Sequence, residues 1–213
     1  MAAFTLYGRP GWGSVLIETQ LVWYGLDFDF KEVGHLFKDP AAADALRAVN
    51  PLAQIPTLVL PDGTVMTESA AVTLWLADHT GDDSLVPGPR AAERAAFLRW
   101  LIFFVANLYP TYTYADDPAR FVSDPGGRAA FAEAVWDHGK RLYAMLEDQA
   151  AGPWFLGARF SALDIFVAAF TAWEPGPAWF SQNAPRLTAI ASRTRAYPRL
   201  AAVWTRNTPT QDG

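Results

Sequence analysis

The chain has 213 residues, 51% of them apolar and 14% aromatic, enough for a sizeable buried core in one or two domains, which excludes a disordered chain. Its 17 Lys and Arg against 22 Asp and Glu give a net charge of -5 with no basic run, which argues against a nucleic-acid partner and for a small molecule. There are no cysteines, so disulfides, thiolate metal sites and a cysteine nucleophile are ruled out.

In chain order, Phe4 to Tyr7 reads as a strand and Ser14 to Tyr24 as a helix that ends at Gly25, where glycine commonly closes one. Phe28 to Val33 reads as a second strand, and strand, helix, strand is a parallel crossover unit. Thr57 to Leu60 and Thr64 to Met66 flank Pro61-Asp62-Gly63, a turn signal with a mechanism, since Pro presets one dihedral and Gly accepts a positive φ. An antiparallel hairpin is expected there. Ser69 then precedes Ala70, Ala71, Val72, Leu74, Trp75, Leu76 and Ala77, a helical run for which the serine is the expected N-cap. The free N–H groups and positive dipole end at Ser69 suit a carboxylate ligand.

From His79 to Pro89 the composition turns to Thr, Gly, Asp, Ser and Pro, and Pro87-Gly88-Pro89 is a break. The expected division is a first domain over 1–80, a linker over 81–90 and an all-helical domain over 91–213. In the latter, helical spacing runs over Ala91 to Leu108, Gly126 to Gln149, Ser161 to Trp173, Pro185 to Ala196 and Pro198 to Thr205. Ser161-Ala162-Leu163-Asp164 has the form of a capping box, a structural element. His35, His79 and His138 are scattered without ligand spacing, so no metal is expected and each reads as a surface or core residue. No apolar stretch approaches the ~18 residues of a membrane span, and Met1 to Leu6 lacks the charged start and apolar core of a signal peptide. A cytoplasmic protein without membrane contact is the expectation.

The order and spacing of Gln54-Ile55-Pro56, the hairpin, Glu68-Ser69 and the helical run up to Asp78 resemble the glutathione-binding half of cytosolic glutathione transferases. Gly157-Ala158-Arg159-Phe160 followed by Ser161 and Asp164 resembles the same family's helix-capping element. The resemblance implies an α/β thioredoxin-like N-terminal domain followed by an all-α bundle. It implies a cis bond at Pro56, main-chain pairing of Ile55 with the cysteinyl unit of glutathione, Glu68 and Ser69 on its γ-glutamyl end, and Gln54 toward its glycyl end. Glutathione enters as substrate, its thiol ionised by a hydroxyl for attack on small hydrophobic electrophiles. Two hydroxyls compete for that role: Ser14, where the loop enters the first helix, as in serine-type subclasses, and Tyr7, which ends the first strand as in tyrosine-type subclasses. Gly11 and Gly13 let backbone donors approach a ligand there, and Ser14 is the first choice, since a Tyr ending a buried strand is often packing whereas a Ser before a helix is well placed near its N-terminus. The Ser-Ser-Cys-x-Trp-Arg signature of the isomerase-like subclass is absent, which leaves the subclass unassigned.

An electrophile pocket is expected between the domains, with Trp12, Phe103, Tyr109, Tyr112, Tyr114 and Trp173 as candidate walls. The Tyr109 to Tyr114 cluster reads as its edge, since alternating hydroxyls are wasteful inside a bundle. A homodimer with roles in detoxification is implied by resemblance. The alternatives are a non-catalytic module for glutathione, hydrophobic ligands or a partner protein, and a glutathione-dependent isomerase or reductase.

Overall fold

The computed structural model describes residues 3–208. By contacts the chain forms two compact units, one running to Val86 and taking in the segment from Arg193 onward, the other spanning Pro87–Ser192.

The first unit is built on strands β1 (Phe4–Gly8), β2 (Phe28–Glu32), β3 (Thr57–Val59) and β4 (Val65–Met66), in the order β2-β1-β3-β4. β1 and β2 are parallel, linked through helix α1 (Val15–Tyr24), and β3 runs antiparallel to both β1 and β4. Alternation along β1 drives Phe4 and Leu6 into a core with Ile17 and Leu21 of α1, Leu58 of β3, and Val72 and Leu76 of helix α3 (Ser69–Thr80). Helix α2 (Pro40–Arg47) was not anticipated, although it carries its own start signal: Asp39 accepts from Ala41 N–H at 3.0 Å and Ala42 N–H at 3.3 Å, with Pro40 in the first turn. Ile55-Pro56 is cis, as the resemblance implied.

Ser69 departs from its expected place. It is the first residue of α3 and not its cap; Glu68 holds the cap position at φ 64, ψ 97. A side chain at positive φ with that ψ is sterically strained and rare outside glycine.

In the second unit, α4 (Arg94–Phe103) passes through a π-helical turn, Phe104–Leu108, into α5 (Tyr109–Ala115), so the helix expected to stop at Leu108 goes on for another seven residues. Pro110 explains the turn: it lacks the N–H that would bond the fourth residue back, and a widened turn absorbs the misfit without ending the helix. Next come α6 (Arg128–Gln149), α7 (Ala162–Phe170), α8 (Pro177–Asn183), not foreseen in the sequence, and α9 (Pro185–Arg195). The core is aromatic: Phe104 meets Phe166 at 5.6 Å and Phe170 at 5.3 Å, while Phe155 packs edge-on to Trp100 at 5.8 Å. Both halves of the expected capping box at Ser161 and Asp164 are present.

The last helix, α10 (Ala201–Asn207), packs on α1. The expected 91–213 domain therefore differs from the contact-defined units, because Trp23 meets Tyr197 edge-on at 5.1 Å and Glu18 takes polar partners from α10. Among the described residues no helix is long and apolar enough to cross a membrane.

Candidate functional site

The strand register brings the candidate residues of the first unit to one end of the sheet. Tyr7 and Gly8 end β1; Tyr7 lies opposite Thr57, which opens β3 directly after Ile55-Pro56; and Leu58 lies opposite Met66, two residues before Glu68. The loop from Arg9 to Ser14 leaves β1 at this same end and enters α1.

The Asn50 to Thr57 loop is held by its own polar network. Asn50 Nδ2 donates to Gln54 C=O and to Thr57 Oγ1, both at 3.0 Å, Thr57 Oγ1 donates to Gln54 C=O at 2.8 Å, and Leu52 N–H donates to Asn50 Oδ1 at 3.1 Å. Asn50 and Thr57 are buried, so these bonds run in a low-dielectric setting. They spend the Gln54 carbonyl and present the next residue. Among the described residues nothing hydrogen-bonds the N–H or C=O of half-buried Ile55, which leaves a stretch of main chain able to pair with an extended peptide. Sequence reasoning missed Asn50 and Thr57; the only signal was an Asn before a proline, the start of an Asx-type turn.

At the other side of this end, Glu68 is exposed and Ser69 is buried with its carbonyl accepting from Thr73 Oγ1 at 2.7 Å. Gln54 is exposed, its side chain extending from the loop.

Ser14 does not stand as expected. It is fully buried, and its hydroxyl accepts from Arg9 N–H and donates to Arg9 C=O, both at 3.0 Å. The proton that a thiolate would need is committed to a carbonyl. The serine packs on Gly8, where a Cβ would come within 2.4 Å of the Ser14 Cβ, so glycine at 8 is a steric requirement of this loop. In the main chain of this loop Trp12 N–H bonds Arg9 C=O at 3.1 Å and Gly11 N–H is taken by Asn207, whereas among the described residues the N–H groups of Gly13 and Ser14, both buried at the start of α1, have no acceptor. Tyr7 is half-buried on the sheet face opposite Leu6, and no described residue bonds its hydroxyl.

Trp12 stacks on Phe37 at 5.3 Å and meets His35 edge-on at 5.2 Å, with the Arg9 guanidinium 5.8 Å from its ring. Burial first, and then Lys38 and Arg9, lower the pKa of His35, which favours the neutral ring in this cluster. His79 stacks on Trp75 at 4.5 Å.

The aromatic candidates of the second unit range from the core to the surface, with Phe103, Tyr109 and Trp173 half-buried. Tyr112 is a core residue: it is buried, its hydroxyl lies 2.6 Å from that of Tyr143, and it donates to Glu174 C=O at 2.6 Å. Burial pushes both phenols far above their ordinary range, so they act as neutral hydrogen-bonding groups. The expectation that hydroxyls here mark a pocket edge fails for Tyr112; Thr111, whose Oγ1 donates to Leu108 C=O at 2.7 Å, is buried but borders the cavity that Tyr114 lines. Tyr109 packs edge-on to Phe170 at 5.1 Å, Trp173 lies 4.8 Å from Phe170, and Phe103 sits 5.1 Å from Trp100. Tyr114 is exposed and lines a cavity of about 400 Å³ with Asn107, Phe131 and His138. Among the described residues, no three His, Asp or Glu side chains gather as a metal group would.

Comparison with known proteins now decides the family. The N-terminal-domain model of glutathione S-transferases matches residues 19–79. An uncharacterized GST-like protein of Escherichia coli strain K12, YncG, is 36% identical over 203 residues, 95% of this chain and 97% of the relative. The chain belongs to the glutathione S-transferase family. The glutathione S-transferase GstA of Escherichia coli O157:H7 is 29% identical over 79% of this transferase and 81% of its own length. In three dimensions the transferase is similar to a glutathione transferase of Methylococcus capsulatus, with a TM-score of 0.77 at 28% identity over 95% of this chain and 98% of the other. A homolog from Sulfitobacter, solved with bound glutathione, shares the fold with a TM-score of 0.80 at 23% identity, covering 98% of this chain and 100% of that one. The thioredoxin-like sheet with a helical second part is thus the fold of this enzyme family, as the sequence led one to expect.

Proposed function

We propose that the chain binds glutathione at the sheet end formed by Tyr7, Ile55, Glu68 and Ser69 and activates its thiol for attack on small hydrophobic electrophiles. The observation that carries the reading is the open main chain of Ile55 beside the strained Glu68. An extended tripeptide would pair with Ile55 as a short strand, its γ-glutamyl amine on the Glu68 carboxylate and its γ-glutamyl carboxylate on Ser69 at the α3 start. Gln54, exposed on the same loop, is the contact for the glycyl end. Glutathione-bound relatives of the same fold support this assignment.

A free thiol titrates near ~8.5, and lowering it to ~6.5 requires roughly 2.7 kcal/mol. One hydrogen bond to a charged acceptor contributes roughly 1.5–3 kcal/mol and a helix start roughly 0.3–1 kcal/mol. The Tyr7 hydroxyl, together with the positive end of α1, is sufficient on that arithmetic. Ser14 is assigned to holding the loop, since its proton serves Arg9.

The test is conjugation of an activated aryl chloride, with the ultraviolet absorbance of bound thiolate followed against pH. Wild type is expected to hold the thiol well below its free pKa, and Tyr7→Phe to slow turnover about tenfold, the loss of one hydrogen bond to an anion. A bound thiol that titrates like the free peptide would remove the proposal. A cytoplasmic detoxifying homodimer is the setting this reading carries.

A further inference from the structure

The loop that enters α1 is tied down from the far end of the chain. Gly11 N–H donates to Asn207 Oδ1 at 3.0 Å, across 196 residues of sequence. Asn207 Nδ2 in turn donates to Glu18 Oε2 at 3.0 Å and to Val203 C=O at 2.9 Å. The other carboxylate oxygen of Glu18, which is fully buried on α1, takes the Arg206 guanidinium in an ion pair. That guanidinium also lies 4.8 Å from the Phe30 ring, and Phe30 borders Gly8, where an added Cβ would meet Phe30 at 3.0 Å.

The chemistry fixes the direction of the amide. A carboxylate accepts only, so Glu18 forces the NH₂ of Asn207 toward itself and turns the carbonyl oxygen to the loop. Asn207 is only 6% exposed, so a flip would bury an amine against the Gly11 N–H with no compensation from water. Gly11 sits at φ 78, a left-handed conformation that glycine adopts readily and that the hydrogen bond from its N–H then holds.

We infer that Asn207 is a positioning residue: α10, through the Glu18–Asn207–Gly11 relay, sets the main chain of residues 9–13 and with it the placement of the positive end of α1 relative to the thiol. The functional part of this rests on the proposed glutathione reading; the relay itself does not. A C-terminal segment thereby acts as a buckle on a site that its sequence position does not suggest. Removing the buckle leaves the Ile55, Glu68 and Ser69 contacts intact, so it should spare affinity and spoil activation.

The experiment is amide hydrogen exchange at Gly11 to Gly13 beside calorimetry and thiolate titration with glutathione. Asn207→Ala is expected to speed exchange at Gly11 by about 5- to 150-fold, the range spanned by loss of one buried hydrogen bond. Glutathione affinity should stay within about threefold while the pKa of the bound thiol rises, because the lost contact is not a tripeptide contact. Asn207→Asp, which sets two carboxylates against each other, should be worse than alanine. The double variant Glu18→Gln with Asn207→Asp restores the polarity, with the new amide donating to the new carboxylate, and should bring exchange at Gly11 back toward wild type. Unchanged exchange in a folded Asn207→Ala protein overturns the relay, and so does a folded double variant that stays as fast as Asn207→Asp. Faster exchange at Gly11 in Asn207→Ala with no shift of the bound thiol's pKa overturns the link to activation. A wild type that binds no glutathione would instead overturn the glutathione reading and with it that link, while the exchange data still judge the relay.

Discussion

Asp164→Ala is expected to lower the unfolding free energy at pH 7 by about 2–4 kcal/mol, read from urea denaturation. The side chain is fully buried at the start of α7 and accepts three bonds: Phe155 N–H at 2.7 Å, Ser161 N–H at 2.8 Å and Ser161 Oγ at 3.3 Å. Alanine leaves two buried amides without acceptors, at roughly 1–3 kcal/mol each, and recovers part of that loss by removing a desolvated carboxylate. The bond to Phe155 also fixes the turn before α7, so the substitution loosens the loop as well as the cap.

The same residue sets a pH dependence. Burial raises the Asp164 pKa from 3.8 to about 6, although the bonds from Phe155 and Ser161 pull it down. The native state therefore holds this proton more tightly than the unfolded chain does. Its contribution is full below about 3.8, is lost as pH rises through about 6 and is constant beyond. Asp164→Asn should remove a slope of at most about 1.36 kcal/mol per pH unit from that window and none above it. Burial, and then Glu174, also raise Asp116 to about 6, so a residual slope of the same sign should survive in the variant. A variant whose stability follows pH as wild type does between 4 and 6 would contradict the assignment.

The sheet and its connectivity were legible because they rest on local signals. Alternation in Phe4 to Tyr7, Gly25 at a left-handed helix end and Gly63 in the hairpin turn all recur in the structure. The capping box was readable for the same reason: two side chains three residues apart act on neighbouring backbone. Long-range contacts had no local signature. Asn207 lies 196 residues from Gly11, and α10 is a short helix whose partner on α1 is Glu18, a charged residue that a periodicity argument assigns to solvent. Gln20 is buried with its amide donating to Thr73 Oγ1 at 2.9 Å, which shows how far burial on α1 departs from amphipathic spacing. Ser14 misled for a related reason: a serine before a helix reads as a cap or a nucleophile activator, and only the folded loop reveals that Arg9 uses both of its functions.

Glu68→Gly separates what the fold wants from what the site wants. Glu68 sits at φ 64, ψ 97, a conformation that costs a side-chain-bearing residue roughly 1–3 kcal/mol. Glycine adopts it freely and gives back about 0.5–1 kcal/mol through its more flexible unfolded state, so the variant should be about 1 kcal/mol more stable than wild type in urea. On the proposed reading the carboxylate also grips the γ-glutamyl amine, a bond between charged groups whose loss weakens glutathione by about 10- to 150-fold in calorimetry. Glu68→Ala distinguishes the two contributions, since it removes the carboxylate and keeps the strained backbone: it should lose the affinity without gaining the stability. Nothing in the hairpin or in α3 requires a charged residue at this corner, where Glu68 is exposed and makes no cap bond with its side chain. On the proposed reading, a ligand accounts for a strained, exposed acid at this corner. A Glu68→Gly protein that gains stability and keeps its affinity would leave the strain without a function and take the γ-glutamyl contact away from this residue.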